Sequence, residues 1–78
     1  MIKAYEEVID FIAAGLSPQS LIGYEPSKTT KERVAELIHR EKNSELPVEE
    51  KSELDHYLQL EHIMRLAKAR AYKHIAHE

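Results

Sequence analysis

Residues 47–77 decide the fold, and they read PVEEKSELDHYLQLEHIMRLAKARAYKHIAH. The segment contains no glycine, and its one proline, Pro47, stands where helices start. Acidic residues come early in it and basic residues late, with no acid between His62 and His77. This order of charges complements the helix dipole at both ends. We therefore predict one uninterrupted helix over residues 47–76.

Such a helix is long for a chain of 78 residues. At ~1.5 Å per residue it would extend ~45 Å, whereas a compact domain of this size has a radius of gyration of only ~12 Å. The helix must therefore project beyond its own core or lie against a second chain. Because a domain this small is marginally stable alone, we expect a homo-oligomer, most simply a homodimer.

The composition indicates a single small domain. The chain has no Cys, so it has no disulfide or thiolate chemistry. No apolar run approaches membrane-spanning length, and no basic region with a long apolar stretch opens the chain. We therefore expect a cytoplasmic protein with no membrane association.

The net charge of −3 is divided unevenly along the chain. Residues 1–61 carry seven basic and 13 acidic residues, whereas residues 62–78 carry four basic residues and one acidic residue. The two parts therefore present surfaces of opposite charge to any partner.

Two helices are predicted at the start of the chain. The first covers residues 2–14 and ends before Gly15; its buried face is formed by Tyr5, Val8, Ile9 and Ile12. Ser17-Pro18 is a cap followed by proline at the first helical position, which predicts a short helix over residues 18–22.

A third helix is predicted over residues 28–42, capped by Ser27 or Thr29. A polar break and Leu46-Pro47 separate it from the long helix, so the two should pair antiparallel. No alternating pattern supports a sheet. The sequence thus predicts an all-α hairpin with an N-terminal helix packed across it.

The long helix carries apolar side chains on more sides than one core needs. One sector forms a seam that can pack against another helix; its members are Tyr57, Leu60, Met64, Ala67 and Ala71. Leu58 lies in a second sector, and Ile63 lies outside both. We predict that these seven residues bind a second chain. Complete coverage by the upstream helices is the alternative.

A metal site is a less favoured alternative. Glu36 and His39, like Glu53 and His56, have the Glu-x-x-His spacing of di-iron bundles. Glu36 and His39 point away from the apolar face of their helix, and bundle ligands must point inward. His74 and His77 are one turn apart near the end of the chain. We expect solvated side chains here, and no metal or other cofactor.

Enzymatic machinery is not evident in the sequence. It contains no Cys nucleophile, no glycine-rich phosphate loop and no G-x-S-x-G motif, so we expect no catalytic residues.

The basic end of the long helix is a possible phosphate contact, formed by Arg65, Lys68, Arg70 and Lys73. These four residues are spread around the helix and do not form a stripe. We therefore expect only weak binding of nucleic acid.

The chain resembles one family of short proteins over nearly its whole length. The likeness lies in the upstream pairs Ser17-Pro18 and Pro26-Ser27 and in motifs of the long helix, which are Glu53-Leu54-Asp55, Leu60-Glu61-His62 and residues 64–70. The family is bacterial, chiefly cyanobacterial, and some members are regarded as antitoxins encoded beside an HNH-nuclease-like toxin. Many members have Thr or Ser where this chain has Leu46.

The resemblance implies that the chain binds and neutralises a protein toxin. Acidic side chains could then face the cationic surface of a nuclease while apolar ones provide the anchor; those acids are Glu49, Glu50, Glu53 and Asp55. The alternative is a structural homo-oligomer without a toxin partner. Lesser alternatives are a nucleic-acid-binding regulator and a metal-binding bundle.

Overall fold

The computed structural model describes residues 3–76, and this part of the chain is helical without any strand. The helices are α1 (Ala4–Ala13), α2 (Pro18–Gly23), α3 (Lys28–Asn43) and α4 (Val48–Ala76). The all-α prediction with a long C-terminal helix is confirmed. Helix ends lie within two residues of the predicted ones, and the predicted first helical residue, Ile2, lies outside the described residues.

Local signals in the sequence end and start the helices. Gly15 follows α1 with φ +107°, a conformation that a side chain would strain. The hydroxyl of Ser17 accepts a hydrogen bond from the Ser20 backbone N–H at 3.1 Å and caps α2. Ser27 caps α3 in the same way, by accepting from the Thr30 N–H at 3.2 Å. Thr29 is therefore not the cap.

The long helix α4 is the element on which α1, α2 and α3 all pack. The molecule measures 49 × 22 × 19 Å, so α4 sets its long dimension. The core lies between α4 and the other three helices; its buried apolar members are Ala4, Val8, Val34, Leu37, Leu54, Tyr57 and Met64.

The predicted seam of α4 forms this internal core. Tyr57, Met64 and Ala71 are all 5% exposed or less, and Leu60 and Ala67 are half-buried. The side of α4 that we expected a second chain to cover is covered by the chain's own upstream helices. Because Tyr57, Met64 and Ala71 are buried inside the chain, the prediction that the seam is an oligomer interface is wrong.

The buried face of α1 differs from the predicted one. Ala4 and Val8 are buried and Phe11 packs against the core, whereas Ile9 and Ile12 are exposed. Residues 4, 8 and 11 also recur at helical spacing, but the face that they form is turned about the helix axis relative to the predicted face. The prediction that Ile9 and Ile12 are core residues is wrong.

Candidate protein-interaction surface

A cluster of ion pairs joins α3 to the first turns of α4. Arg33 donates to both oxygens of Glu53, from Nε to Oε2 and from Nη2 to Oε1, each at 3.1 Å. Glu53 Oε2 also accepts from the backbone N–H of Ala4 at 3.0 Å, which adds α1 to the cluster. Arg40 donates to Glu50 at 2.6 and 2.8 Å. Such bidentate pairs fix both distance and orientation.

These contacts pair two of the predicted partner-facing acids within the chain. Glu53 is 4% exposed, and its hydrogen bonds from Arg33 lower its pKa despite burial. Hydrogen bonds from Arg40 likewise lower the pKa of Glu50. Because Glu53 is buried and paired within the chain, the prediction that it faces a partner is wrong. Glu50 is paired with Arg40, but its side chain remains 22% exposed. Glu49 and Asp55, the other two predicted acids, are exposed.

The Glu-x-x-His pairs do not converge on a common point. Glu36 lies beside Arg33 and Arg40, while His39 lies beside Asn43. Glu53 turns toward Arg33, and the ring of His56 packs edge-on against Tyr5 at 5.1 Å between centroids. Among residues 3–76, no group of three His, Asp or Glu side chains is arranged to hold a metal ion. His77 lies outside the described residues.

Two of the four predicted phosphate contacts are engaged within the chain. Arg65 pairs with Glu61 one turn earlier on α4, and Lys68 Nζ donates to the carbonyl oxygen of Tyr24 at 2.7 Å. Arg70 and Lys73 are exposed. The structure thus leaves a smaller cationic surface than the sequence predicted.

Tyr24 forms one wall of a small cleft beside α4. Its ring packs on Phe11 at 4.2 Å between centroids, and the cleft, of about 330 Å³, also includes Tyr57 and Met64. Within the described part of the chain, the buried Tyr24 hydroxyl has no hydrogen-bond partner. Burial and the nearby Glu7 carboxylate raise the pKa of Tyr24 to about 12, so the hydroxyl stays protonated.

Upstream of α4, the large apolar side chains that are exposed lie on α1 and just after its end. Ile9 is 46%, Ile12 36% and Leu16 48% exposed. Ile9 and Ile12 share a flank of the helix with Tyr5, whose ring touches His56 of α4. Leu16 lines a shallow cleft with Ala67 of α4. This flank of α1 therefore runs alongside one edge of α4.

That edge of α4 continues the apolar surface. His56, Ile63 and Ala67 follow one another at helical spacing along it, and Ile63 is 55% exposed. We name the surface formed by Ile9, Ile12, Leu16 and Ile63 the α1 flank. Sequence periodicity missed it, because periodicity alone placed Ile9 and Ile12 in the core.

Comparison with known proteins adds no relative: no protein-family model, no curated protein and no solved structure matches the chain. Within residues 3–76, no helix is long and apolar enough to cross a membrane.

Proposed function

We propose that this chain is a protein-binding module that uses the α1 flank to bind a partner protein. The observation that carries the proposal is the exposure of Ile9 and Ile12 on one side of α1 and of Leu16 just after its end. Apolar side chains grouped on a surface are typical of protein-interaction sites, and their removal from water on binding provides the main favourable term. Scattered single apolar residues would not support this interpretation.

We propose further that the partner is a nuclease-like toxin, that binding neutralises it, and that this occurs in the cytoplasm. The resemblance of the sequence to antitoxin-like proteins supports this part. The charge distribution also supports it, since a nuclease binds phosphates with a cationic surface. Glu49 is exposed and lies on the same side of α4 as His56, two turns earlier, so it can place a negative charge at one end of the α1 flank.

Co-expression with the product of the adjacent gene tests this proposal. If that product is a toxin, it should stop growth when expressed alone, and the wild-type chain should restore growth. The variant Ile9→Ser/Ile12→Ser should fail to restore growth, because it removes the apolar anchor. Val48→Ser is the matched control, since Val48 is 85% exposed at the start of α4 and lies outside the α1 flank.

Two results would contradict the proposal. One is unaffected growth when the neighbouring gene product is expressed alone, because that product would then not be a toxin. The other is full rescue by Ile9→Ser/Ile12→Ser. Circular dichroism of both variants checks that they are folded, because a folded variant keeps its helical signal. A loss of rescue by a folded variant is then due to the changed surface and not to unfolding.

A further inference from the structure

One stripe of α4 faces away from the other three helices over most of its length. Asp55 and Lys73 mark its two ends. Because 18 residues complete five helical turns, these two residues lie on one line parallel to the helix axis, ~27 Å apart. Six further side chains lie within about 60° of that line, and they are Leu58, Gln59, His62, Leu66, Ala69 and Arg70. We name all eight residues the outer stripe, and all eight are exposed.

The outer stripe has oppositely charged ends, and between them it carries the apolar Leu58, Leu66 and Ala69 next to polar side chains. Leu58 is 43% and Leu66 58% exposed, on the side of α4 opposite the internal core. No ion pair within residues 3–76 engages Asp55 or Lys73. Both charges are therefore available to a second molecule.

This arrangement makes the stripe complementary to itself. In a two-fold dimer the same surface serves both copies, and antiparallel pairing centred at position 64 places each Asp55 opposite Lys73 of the second copy. The same register places each Leu66 opposite His62 of the second copy. Parallel pairing would instead oppose Asp55 to Asp55 and Lys73 to Lys73, and such like-charge contacts are unfavourable.

We propose that two copies of this chain associate through the outer stripe, with their α4 helices antiparallel. Burial of Leu58, Leu66 and Ala69 drives association, and the two symmetric Asp55–Lys73 pairs fix its direction and register. Oligomerisation is a usual remedy for the marginal stability of a chain this short. The dimer uses none of the four residues of the α1 flank. The dimer proposal therefore does not depend on the proposed toxin.

Charge exchange tests the pairing. Sedimentation equilibrium of the full chain should show a dimer for the wild type. Asp55→Lys alone, or Lys73→Asp alone, should weaken dimerisation by about 10-fold or more, because each converts two attractive pairs into two repulsive ones. The double variant Asp55→Lys/Lys73→Asp should restore the wild-type dissociation constant to within about threefold. Glu41→Lys, an exposed change on α3 with the same effect on net charge as Asp55→Lys, is the control and should leave dimerisation unchanged.

Cysteine cross-linking tests the direction independently, since the chain has no native Cys. His62→Cys and Leu66→Cys proteins are mixed in equal amounts and oxidised mildly. Antiparallel pairing predicts that the disulfide between the two different variants forms in preference to either like-with-like product. A wild-type monomer at every accessible concentration would overturn the proposal. So would a dimer indifferent to both charge reversals, or a preference for like-with-like disulfides.

Discussion

Arg33 and Glu53 are joined by two hydrogen bonds of 3.1 Å, with the Nε and Nη2 atoms of the guanidinium each facing one carboxylate oxygen. The pair joins the middle of α3 to the start of α4. Because Glu53 also accepts from the Ala4 N–H, one carboxylate holds three helices together. Its side chain is 5% exposed and that of Arg33 is 17% exposed, so water weakens this pair less than a surface pair.

Breaking this pair should therefore destabilise the fold. Glu53→Gln removes the bidentate partner of Arg33 and leaves it only the more distant carboxylates of Glu50 and Glu36. We expect the free energy of unfolding to fall by about 2 kcal/mol. Glu49→Gln removes an exposed acid from the same turn region and should cost less than about 0.5 kcal/mol. Urea denaturation measures both values. Equal stabilities of the two variants would show that the pair contributes nothing beyond a surface charge.

The same carboxylates predict how stability depends on pH. The pKa values of Glu53 and Glu50 are lowered in the folded chain by hydrogen bonds from Arg33 and Arg40. The stability that they contribute is thus fully present above the ordinary glutamate pKa of ~4.3 and is lost as pH falls through the lower folded values. Thermal unfolding from pH 7 downward should show a level melting temperature until about pH 5 and a decline below it. Glu50→Gln/Glu53→Gln should flatten that decline, and an unchanged acid profile would contradict the assignment.

Tyr24 predicts a second pH dependence, at the alkaline end. Its folded pKa is about 12, so stability should fall between pH ~10, where the tyrosine of the unfolded chain ionises, and the folded value. Tyr24→Phe should reduce this loss without abolishing it, because burial also raises the pKa of Tyr57. At neutral pH it should leave stability equal or higher, because the buried hydroxyl has no partner among residues 3–76.

The control for Tyr24→Phe is Tyr72→Phe, since Tyr72 is 61% exposed. Melting curves at pH 7 and above pH 10 compare the two variants with the wild type. A marked loss of stability at neutral pH in Tyr24→Phe alone would show that the hydroxyl makes a needed hydrogen bond.

Nucleic acid binding should be weak and should depend on Arg70 and, in the monomer, on Lys73, because the proposed dimer pairs Lys73 with Asp55 of the second copy. Arg65 and Lys68 already have partners within the chain. Fluorescence anisotropy with a labelled duplex should show an affinity that falls steeply with salt, with a slope of about two phosphate contacts or fewer. Arg70→Gln/Lys73→Gln should flatten the slope more than Arg65→Gln/Lys68→Gln. A salt-resistant, sequence-specific complex would contradict this expectation.

The helix boundaries could be predicted because their causes are local. Gly15, Ser17 and Ser27 each act on the chain within three residues of themselves. The length of α4 was also predictable from local features, because the segment has no internal glycine or proline and its charges are ordered to suit one continuous helix.

The surfaces were less predictable because they depend on long-range packing. Ile9 and Val8 are adjacent in sequence and both strongly apolar, yet only Val8 is buried. The choice between two overlapping faces of α1 is made by its fit against α4, and periodicity cannot resolve it. Glu53 is 20 residues from Arg33, and no spacing rule pairs residues that far apart on different helices. The sequence therefore predicts that all four acids at the start of α4 are exposed, whereas two of them, Glu50 and Glu53, are paired with arginines of α3.

The most direct test of the central claim, that the α1 flank binds a partner protein, is calorimetric titration of the purified neighbouring gene product with this chain. We expect saturable binding by the wild type and a dissociation constant at least ~30-fold weaker for Ile9→Ser/Ile12→Ser, the effect of removing an interface anchor. Asp55→Lys/Lys73→Asp, which changes only the outer stripe, should bind like the wild type. No binding by the wild type, or equal affinity of the wild type and Ile9→Ser/Ile12→Ser, would contradict the account.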